Sequence, residues 1–203
     1  MYWILRPIVY AFMLIFYPRE IYGKENLPEG GHIVVCNHLG KADVLFVGSI
    51  YKKRIYFLAK KELVKKKLFG KIVRILGGIP VDRGGYDIEC IKESLKVLKG
   101  GDVLAIFPEG TRNKVNNELQ PLKPGAGMLA FKAKVPIVPV IIDKKAHVFR
   151  KAKLLIGKPL YLDEYYGRKL DAELHEEINE KVRNSMLETQ KELRAMLESK
   201  KKK

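Results

Sequence analysis

Five short apolar runs rich in isoleucine and valine recur along the chain, and longer segments with helical spacing separate them. Such runs predict strands covered on both faces, because they lack the polar alternation of a half-exposed strand. The predicted strands are residues 32–36, 55–59, 78–81, 103–107 and 137–142. This β-α-β-α alternation favours an α/β fold with a mixed, largely parallel sheet flanked by helices on both faces.

Helical spacing of apolar residues predicts the elements between and after these strands. The predicted helices are residues 43–51, 61–76, 86–98 and 126–134, and a hairpin is expected around 153–162. A long amphipathic helix is expected at about 170–198, followed by a basic tail over 199–203. No internal repeat or flexible linker divides the chain. Residues 20–203 are therefore predicted to form one domain, which follows an N-terminal segment, 1–19.

The net charge indicates what kind of partner the protein binds. The 203 residues include 39 Lys plus Arg and 23 Asp plus Glu, which gives a formal charge of +16. A chain that is 47% hydrophobic and 31% charged is too apolar for intrinsic disorder and too charged for a polytopic membrane protein. The charge excess predicts an anionic partner, and two cysteines cannot form a disulfide framework.

The N-terminal segment is apolar and aromatic, and Arg6, followed by Pro7, is its only charge before residue 18. The uninterrupted run after Pro7 is too short to span a bilayer, which takes about 20 residues. Its aromatic residues favour a monotopic anchor in one leaflet, and a buried core helix is the alternative. The residues predicted to contact membrane are Trp3, Ile4, Arg6, Phe12, Phe16, Tyr17, Lys65, Lys66 and Lys67.

A histidine and an aspartate follow the first predicted strand, at His38 and Asp43. On one regular helix this spacing would separate them by about 140°, so they can pair only if His38 lies in a loop and Asp43 in the next helical turn. Such a pair resembles the base half of a catalytic triad. Cys36 is expected to be buried in the strand, so a substrate hydroxyl would serve as nucleophile. An ordinary loop histidine is the alternative.

The fourth predicted strand leads into Phe-Pro-Glu-Gly-Thr-Arg at residues 107–112. Proline and glycine favour a tight turn, and the guanidinium of Arg112 suits phosphate oxygens. A salt-bridged surface turn is the alternative.

Between the two motifs, residues 60–83 combine an apolar stripe with many cations. This pattern is typical of a membrane-surface helix or of a core-facing helix with solvated lysines.

Four segments in chain order resemble the glycerolipid acyltransferases that make phosphatidic acid from lysophosphatidic acid. Asn37-His38 with Asp43 is similar to the first family motif, residues 60–83 to the second, 107–112 to the third and 135–140 to the fourth. The chain departs from the usual pattern at Gly40, where a serine often stands, and at Lys67, where a proline often stands.

The resemblance implies a mechanism. His38 would be general base on the sn-2 hydroxyl of lysophosphatidic acid, with Asp43 orienting it, and the acyl donor would be an acyl-carrier protein or acyl-CoA thioester. No covalent acyl-enzyme, metal or tightly bound cofactor is implied. The implied acceptor-binding residues are Arg83 and Arg112 for the phosphate and Glu109, Gly110 and Thr111 for the glycerol. The residues implied to line the acyl region are Val135, Pro136, Ile137, Val138 and Pro139.

Charge and resemblance together predict a peripheral, monotopic protein on the cytoplasmic face of the cell membrane, bound to anionic lipid. Deleting residues 1–17 would then release it from vesicles and leave some activity on detergent-dispersed substrate. Other members of the superfamily acylate another lysophospholipid or glycerol-3-phosphate, and a hydrolase could use the same His–Asp pair. A nucleic-acid-binding protein is disfavoured, because the densest aromatic cluster is in the nearly uncharged N-terminus.

Overall fold

The computed structural model describes residues 1–82, 87–113 and 118–201. The strands are β1 (Arg19–Tyr22), β2 (His32–Cys36), β3 (Ile55–Lys60), β4 (Gly78–Val81), β5 (Val103–Ile106), β6 (Ile137–Ile142) and β7 (Ala152–Ile156). The helices are α1 (Tyr2–Phe16), α2 (Asp43–Gly48), α3 (Lys61–Val64), α4 (Lys67–Ile75), α5 (Ile88–Lys99), α6 (Gly125–Ala133) and α7 (Ala172–Lys201), with short 3-10 turns at Lys24–Asn26 and Asp163–Tyr165.

The seven strands form one sheet in the order β1-β7-β6-β2-β5-β3-β4. Only the β6–β7 pair is antiparallel among the strand pairs of the described residues. Strands β2, β5 and β6 are buried along their whole length, which explains their continuous apolar sequence. The predicted mixed, largely parallel α/β sheet is confirmed.

Helices cover both faces of the sheet. On one face, α5, α6 and α7 pack through Leu98, Leu129 and Met186 against a core that includes Ile33 and Leu104. The opposite face is covered by α1 and α2, whose Met13 and Phe46 pack against strand side chains that point the other way. Met13 is 1% exposed, so the N-terminal helix is docked onto the domain along one side.

Two sequence predictions about local structure are wrong. The hairpin expected around 153–162 does not form: β7 pairs with β6 on one side and with β1 on the other, and Leu160 makes only an isolated bridge to Ile137. The helix expected over 61–76 is divided into α3 and α4. Gly70 packs directly against the Val64 carbonyl, and this close approach brings the two short helices together. Lys67, where the family motif noted above often has proline, is the first residue of α4, a position that favours proline.

Candidate active site

Neighbouring strands bring two of the predicted motifs together. β2 and β5 are parallel neighbours, in a register that pairs His32 with Val103 and Val35 with Ile106. The loops after both strands therefore leave the same edge of the sheet side by side, as expected for ligand sites of open α/β sheets. Continuing this register three residues past Val35 places His38 opposite Glu109.

His38 and Asp43 form a hydrogen-bonded pair. His38 lies in the loop after β2, Asp43 opens α2, and Nδ1 lies 2.9 Å from Oδ2 of the carboxylate. The predicted condition for pairing, a loop histidine and an aspartate in the first helical turn, is met. The His38 side chain is 15% exposed and that of Asp43 is 0% exposed, so the pair is buried on its carboxylate side and accessible on its imidazole side.

The Asp43 carboxylate also accepts hydrogen bonds from two backbone amides. The N–H groups of Leu39 and Gly40 donate to Oδ2 at 2.6 and 2.7 Å, which fixes the loop around the carboxylate. Because a carboxylate only accepts, Nδ1 of His38 carries the proton in this pair. Nε2 is then an acceptor, and it meets no hydrogen-bonding partner among the described residues. The other Asp43 oxygen, Oδ1, is buried and is likewise without a partner in the described chain.

Phe107 fixes the plane of the imidazole. Its ring stacks on that of His38 with centroids 4.3 Å apart and an interplanar angle of 27°. Residue 107 was predicted to be the last residue of a strand, but β5 ends at Ile106, which leaves Phe107 free to turn over the histidine. This apolar contact and the Asp43 hydrogen bond together restrict the ring.

Glu109 is a buried connector between the two loops. Oε1 accepts the backbone N–H of His38 at 2.7 Å, and Oε2 accepts the backbone N–H of Gln120 at 3.3 Å. The residue is 5% exposed, and burial raises the pKa of its carboxyl group, opposed by these two amide donors. Glu109 was implied to shape a glycerol site, but the structure commits both oxygens to backbone amides and directs neither into the cavity described below.

Two asparagines hold the same edge, and their roles were not predicted. The Asn37 side chain accepts from the backbone N–H of Ile142 at 2.8 Å and donates to its carbonyl at 3.0 Å, which ties the end of β2 to the end of β6. The backbone N–H of Asn113 donates to the His38 carbonyl at 2.7 Å. The position of Asn37 directly before His38 was the only sequence signal for this support.

Neither cysteine serves the pair as a nucleophile. Cys36 is 0% exposed in β2, as predicted, and burial raises the pKa of its thiol. Cys90 is on α5, and burial raises its pKa to about 11. Thiols in such surroundings are protonated at neutral pH and unreactive. In the described part of the chain, the polar contact of the His38 ring is with Asp43 alone.

A cavity of about 1480 Å³ opens beside His38. Gly110, Thr111 and Arg112 line it next to the histidine, and Gly110 has the positive φ of 69° that glycine adopts readily. Lys123 also lines this region, and its Cε would meet a Cβ on Gly110 at 2.9 Å. The apolar walls come from elements on both faces of the sheet and include Val9, Met13, Val44, Leu45, Phe57, Ile91, Met128 and Leu129.

One arginine ties together two elements of the cavity wall. The Arg54 guanidinium lies 5.3 Å from the ring centroid of Tyr2 on α1, and it donates to the carbonyls of Arg74 and Ile75 at the end of α4 at 3.1 and 3.2 Å. A cation at a helix C-terminus also interacts favourably with the helix dipole. Arg54 thus links α1 with the end of α4.

The residues expected to line an acyl region lie elsewhere. Val135 and Pro136 precede β6, and Ile137, Val138 and Pro139 are buried within it. None of these five residues contributes to the cavity wall. Their apolar character serves the sheet core, because β6 lies between β2 and β7 with helices on both faces. Arg83, expected to bind phosphate, lies outside the described residues.

The predicted membrane residues divide into two groups. Trp3, Ile4 and Phe12 are 68%, 67% and 48% exposed on the outward side of α1, and Lys65, Lys66 and Lys67 are exposed at the α3–α4 junction. Arg6 instead points inward, lines the cavity and donates to the Tyr51 carbonyl at 2.6 Å. Phe16 and Tyr17 are half-buried, and Tyr17 packs against Phe46.

Within the described residues, no helix combines the length and apolar character needed to span a bilayer. The same residues contain no cluster of His, Cys, Asp or Glu suited to holding a metal ion.

Comparisons with known proteins find similarity over the part of the chain that contains both loops. The family model described as Acyltransferase matches residues 18–143. The 1-acyl-sn-glycerol-3-phosphate acyltransferase of Bacillus subtilis strain 168 is 37% identical over 153 residues, covering 72% of this chain and 75% of the relative. The enzyme of the same name from Saccharomyces cerevisiae is 30% identical over 187 residues, covering 86% of this chain and 60% of the relative.

A solved structure is also similar. The crystal structure of the 1-acyl-sn-glycerophosphate (LPA) acyltransferase PlsC from Thermotoga maritima has a TM-score of 0.69 and 27% sequence identity, and the match covers 92% of this chain and 78% of that one.

Proposed function

Since the chain belongs to the acyltransferase family, we propose that it transfers a fatty acyl group from a thioester to the sn-2 hydroxyl of lysophosphatidic acid, forming phosphatidic acid. The names of the relatives support this acceptor. The observation that carries the proposal is the His38–Asp43 pair, which opens into a cavity and is hydrogen-bonded to no serine or cysteine in the described chain. Such a base can act on a hydroxyl that the substrate brings.

In the proposed mechanism, Nε2 of His38 accepts the proton of the sn-2 hydroxyl while that oxygen attacks the thioester carbonyl. The new C–O bond forms, the tetrahedral intermediate collapses with cleavage of the C–S bond, and the imidazolium returns the proton to the leaving sulfur. Asp43 holds Nδ1 protonated and stabilises the positive charge on the ring. General-base catalysis of this kind contributes about 10² to 10⁴-fold.

The acceptor phosphate would lie against Arg112, which lines the cavity near His38. The guanidinium offers two parallel donors to phosphate oxygens. Gly110 and Thr111 line the same wall and leave room for the glycerol. Glu109 has a supporting role here, because both of its oxygens already accept backbone amides.

The acyl chains would occupy the apolar part of the cavity, between α1, α2 and β3 on one face of the sheet and α5 and α6 on the other. Their burial would contribute roughly 0.8 kcal/mol per methylene.

The protein would act as a peripheral, monotopic enzyme at the cytoplasmic face of an anionic membrane. The exposed apolar side chains of α1 support insertion into one leaflet, and the lysines at the α3–α4 junction support contact with anionic headgroups. The acyl donor would be an acyl-carrier protein or acyl-CoA, either of which is soluble and anionic and suits the +16 charge.

The proposal is tested by acyl transfer to lysophosphatidic acid in mixed micelles, with carrier-bound and CoA-bound donors, for the wild type and His38→Ala. We expect phosphatidic acid formation to fall by at least about 10²-fold in the variant while lysolipid binding is retained. If the wild type is active only on another lysophospholipid, lysophosphatidic acid is not the acceptor. If His38→Ala keeps its activity, His38 is not the general base. Free fatty acid released at one rate with or without lysolipid would indicate a hydrolase.

A further inference from the structure

An exposed aromatic turn lies at the end of the N-terminal helix. Residues His147–Arg150 form a tight turn closed by an antiparallel bridge between its two ends. Val148 and Phe149 at its tip are 48% and 68% exposed. The turn falls between the end of β6 and the start of β7, so it lies at the same edge of the sheet as His38.

The turn is attached to α1. The backbone N–H of Phe149 donates to the carbonyl of Phe16, the last residue of α1, at 2.8 Å, and the two rings lie 5.5 Å apart. Phe149 has a φ of 59°, a left-handed conformation that is uncommon for an aromatic residue and persists only where the surroundings hold it. The hydrogen bond to Phe16 is such a constraint, and it presents the phenyl ring outward next to the exposed face of α1.

Cations flank the tip in sequence. Lys144, Lys145 and Arg150 are exposed. Lys144 interacts electrostatically with the adjacent Asp143 carboxylate, and the neighbouring Lys151 pairs with Glu20. The nearby acid Asp143 is half-buried, and its carboxylate accepts the Lys153 backbone amide. The result is an apolar tip with a basic collar.

From this geometry we propose that the 147–150 turn is a second membrane contact, which inserts Val148 and Phe149 at the headgroup boundary of an anionic leaflet. The proposal rests on the proposed function, because it extends the membrane face of α1. The apolar tip favours lipid over an acidic protein, since the cations flank the tip while its two central residues carry no charge. The turn lies beside the His38 loop, because Lys145 is 3.4 Å from the position that a Cβ on Gly40 would take. Membrane contacts through both α1 and the turn would determine which edge of the sheet faces the membrane.

Sedimentation of the full-length chain with phosphatidylglycerol–phosphatidylcholine vesicles tests this proposal. Phe149→Asn removes the ring and introduces a residue that tolerates a left-handed φ. We expect its affinity for the vesicles to fall about tenfold, as loss of one inserted phenyl group predicts, with thermal stability unchanged or higher. Tyr161→Asn is the matched control, because Tyr161 is 52% exposed and follows Leu160, which pairs with the first residue of β6 at the opposite edge. Equal affinity of Phe149→Asn and wild type would overturn the proposal.

Fluorescence locates the insertion directly. Trp3 is the only tryptophan, so Trp3→Phe provides a silent background for Phe149→Trp or Tyr161→Trp. Quenching by brominated acyl chains is expected at position 149 and not at 161, and its absence at 149 in vesicle-bound protein would overturn the contact. A Phe149→Asn protein with normal vesicle affinity but a raised KM for acyl-carrier protein would make the turn a protein-docking site and overturn the lipid assignment. Sedimentation and quenching need no acyl transfer, so failure of the proposed acceptor is detected separately in the micelle assay.

Discussion

Glu109 holds His38 by its backbone while Asp43 holds it by its side chain. The Glu109 carboxylate accepts the His38 amide at 2.7 Å, and the Asp43 carboxylate lies 2.9 Å from the ring. One contact joins residues far apart in sequence, and the other is local. The position of the imidazole therefore depends on the packing of β2 against β5 as well as on its own loop.

This relationship predicts the effect of Glu109→Gln. The amide can accept one of the two backbone N–H groups, but its NH₂ faces the other, so the His38 loop loses a charge-assisted hydrogen bond. We expect kcat to fall about 10- to 100-fold while KM for lysophosphatidic acid changes little, because the side chain is positioning and not substrate-contacting. Steady-state kinetics on the purified variant measures both.

Glu118→Gln is the control for Glu109→Gln. Glu118 lies in the same loop, but its side chain is exposed and pairs with Arg194. A raised KM with unchanged kcat in Glu109→Gln would contradict the positioning role and return Glu109 to the glycerol site.

Gly40→Ser should stabilise the site. A Cβ at this position would lie 3.4 Å from Lys145 Cγ and 3.6 Å from Oδ1 of Asp43, the buried oxygen that has no partner among the described residues. A serine hydroxyl there can donate to Oδ1, and satisfying a buried acceptor is worth about 1 kcal/mol. We expect a higher melting temperature with activity retained. Gly40→Ala adds the same Cβ without the donor, and equal stability of the two variants would count against the hydrogen bond.

The central strands and the His–Asp pair were predictable because their signals are local. Strands β2, β4 and β6 have the predicted bounds. β2 and β6 are buried throughout, and such strands have continuous apolar sequences, whereas β4 is a mostly half-buried strand at the edge of the sheet. The spacing of His38 and Asp43 predicted the arrangement in which they could pair, a loop residue with a first-turn residue, but it left an ordinary loop histidine as the alternative.

The features that were missed depend on long-range pairing. β1 has only four half-buried residues, Arg19–Tyr22, and forms as an edge strand because β7 offers it a partner. The role of Glu109 required knowing that β2 and β5 are neighbours, which no local pattern reveals. Similarly, the inward direction of Arg6 depends on the Tyr51 carbonyl, which is distant in sequence.

Arg6 and Trp3 should behave differently although both lie in the first turns of α1. Arg6→Met removes the hydrogen bond to Tyr51 and should lower stability by about 1 kcal/mol with vesicle affinity unchanged. Trp3→Ser removes a side chain that is 68% exposed and should weaken vesicle binding with stability unchanged. Thermal melts and sedimentation of each variant measure the two effects, and vesicle release by Arg6→Met alone would contradict the inward assignment.

His32 predicts a pH-dependent loss of stability. It is buried, with Nδ1 3.0 Å from the Gly30 carbonyl and Nε2 2.7 Å from the Tyr51 hydroxyl, and burial lowers its pKa to about 4. The unfolded chain protonates this residue near its ordinary pKa of about 6.5. Its contribution is therefore complete above about pH 6.5 and is lost as pH falls toward about 4, by an amount on the order of a few kcal/mol.

Denaturant titrations of wild type and His32→Phe measure this contribution. As pH falls from about 6.5 to about 4, the free energy of unfolding should decrease more for the wild type than for His32→Phe. A pH-independent difference would show that His32 titrates alike in both states.

The contact of Arg54 with Tyr2 and with the end of α4 changes how loss of the N-terminal segment must be interpreted. Removing residues 1–17 deletes Met13 from the core and part of the cavity wall together with the exposed apolar face. A truncated chain would therefore lose substrate affinity even in detergent, where membrane binding plays no part. Because one helix serves both as wall and as outward apolar face, lipid bound to that face would stabilise its docking, and occupancy of the cavity would in turn favour binding to the surface. Surface binding and catalytic competence then become thermodynamically linked properties of a single fifteen-residue element.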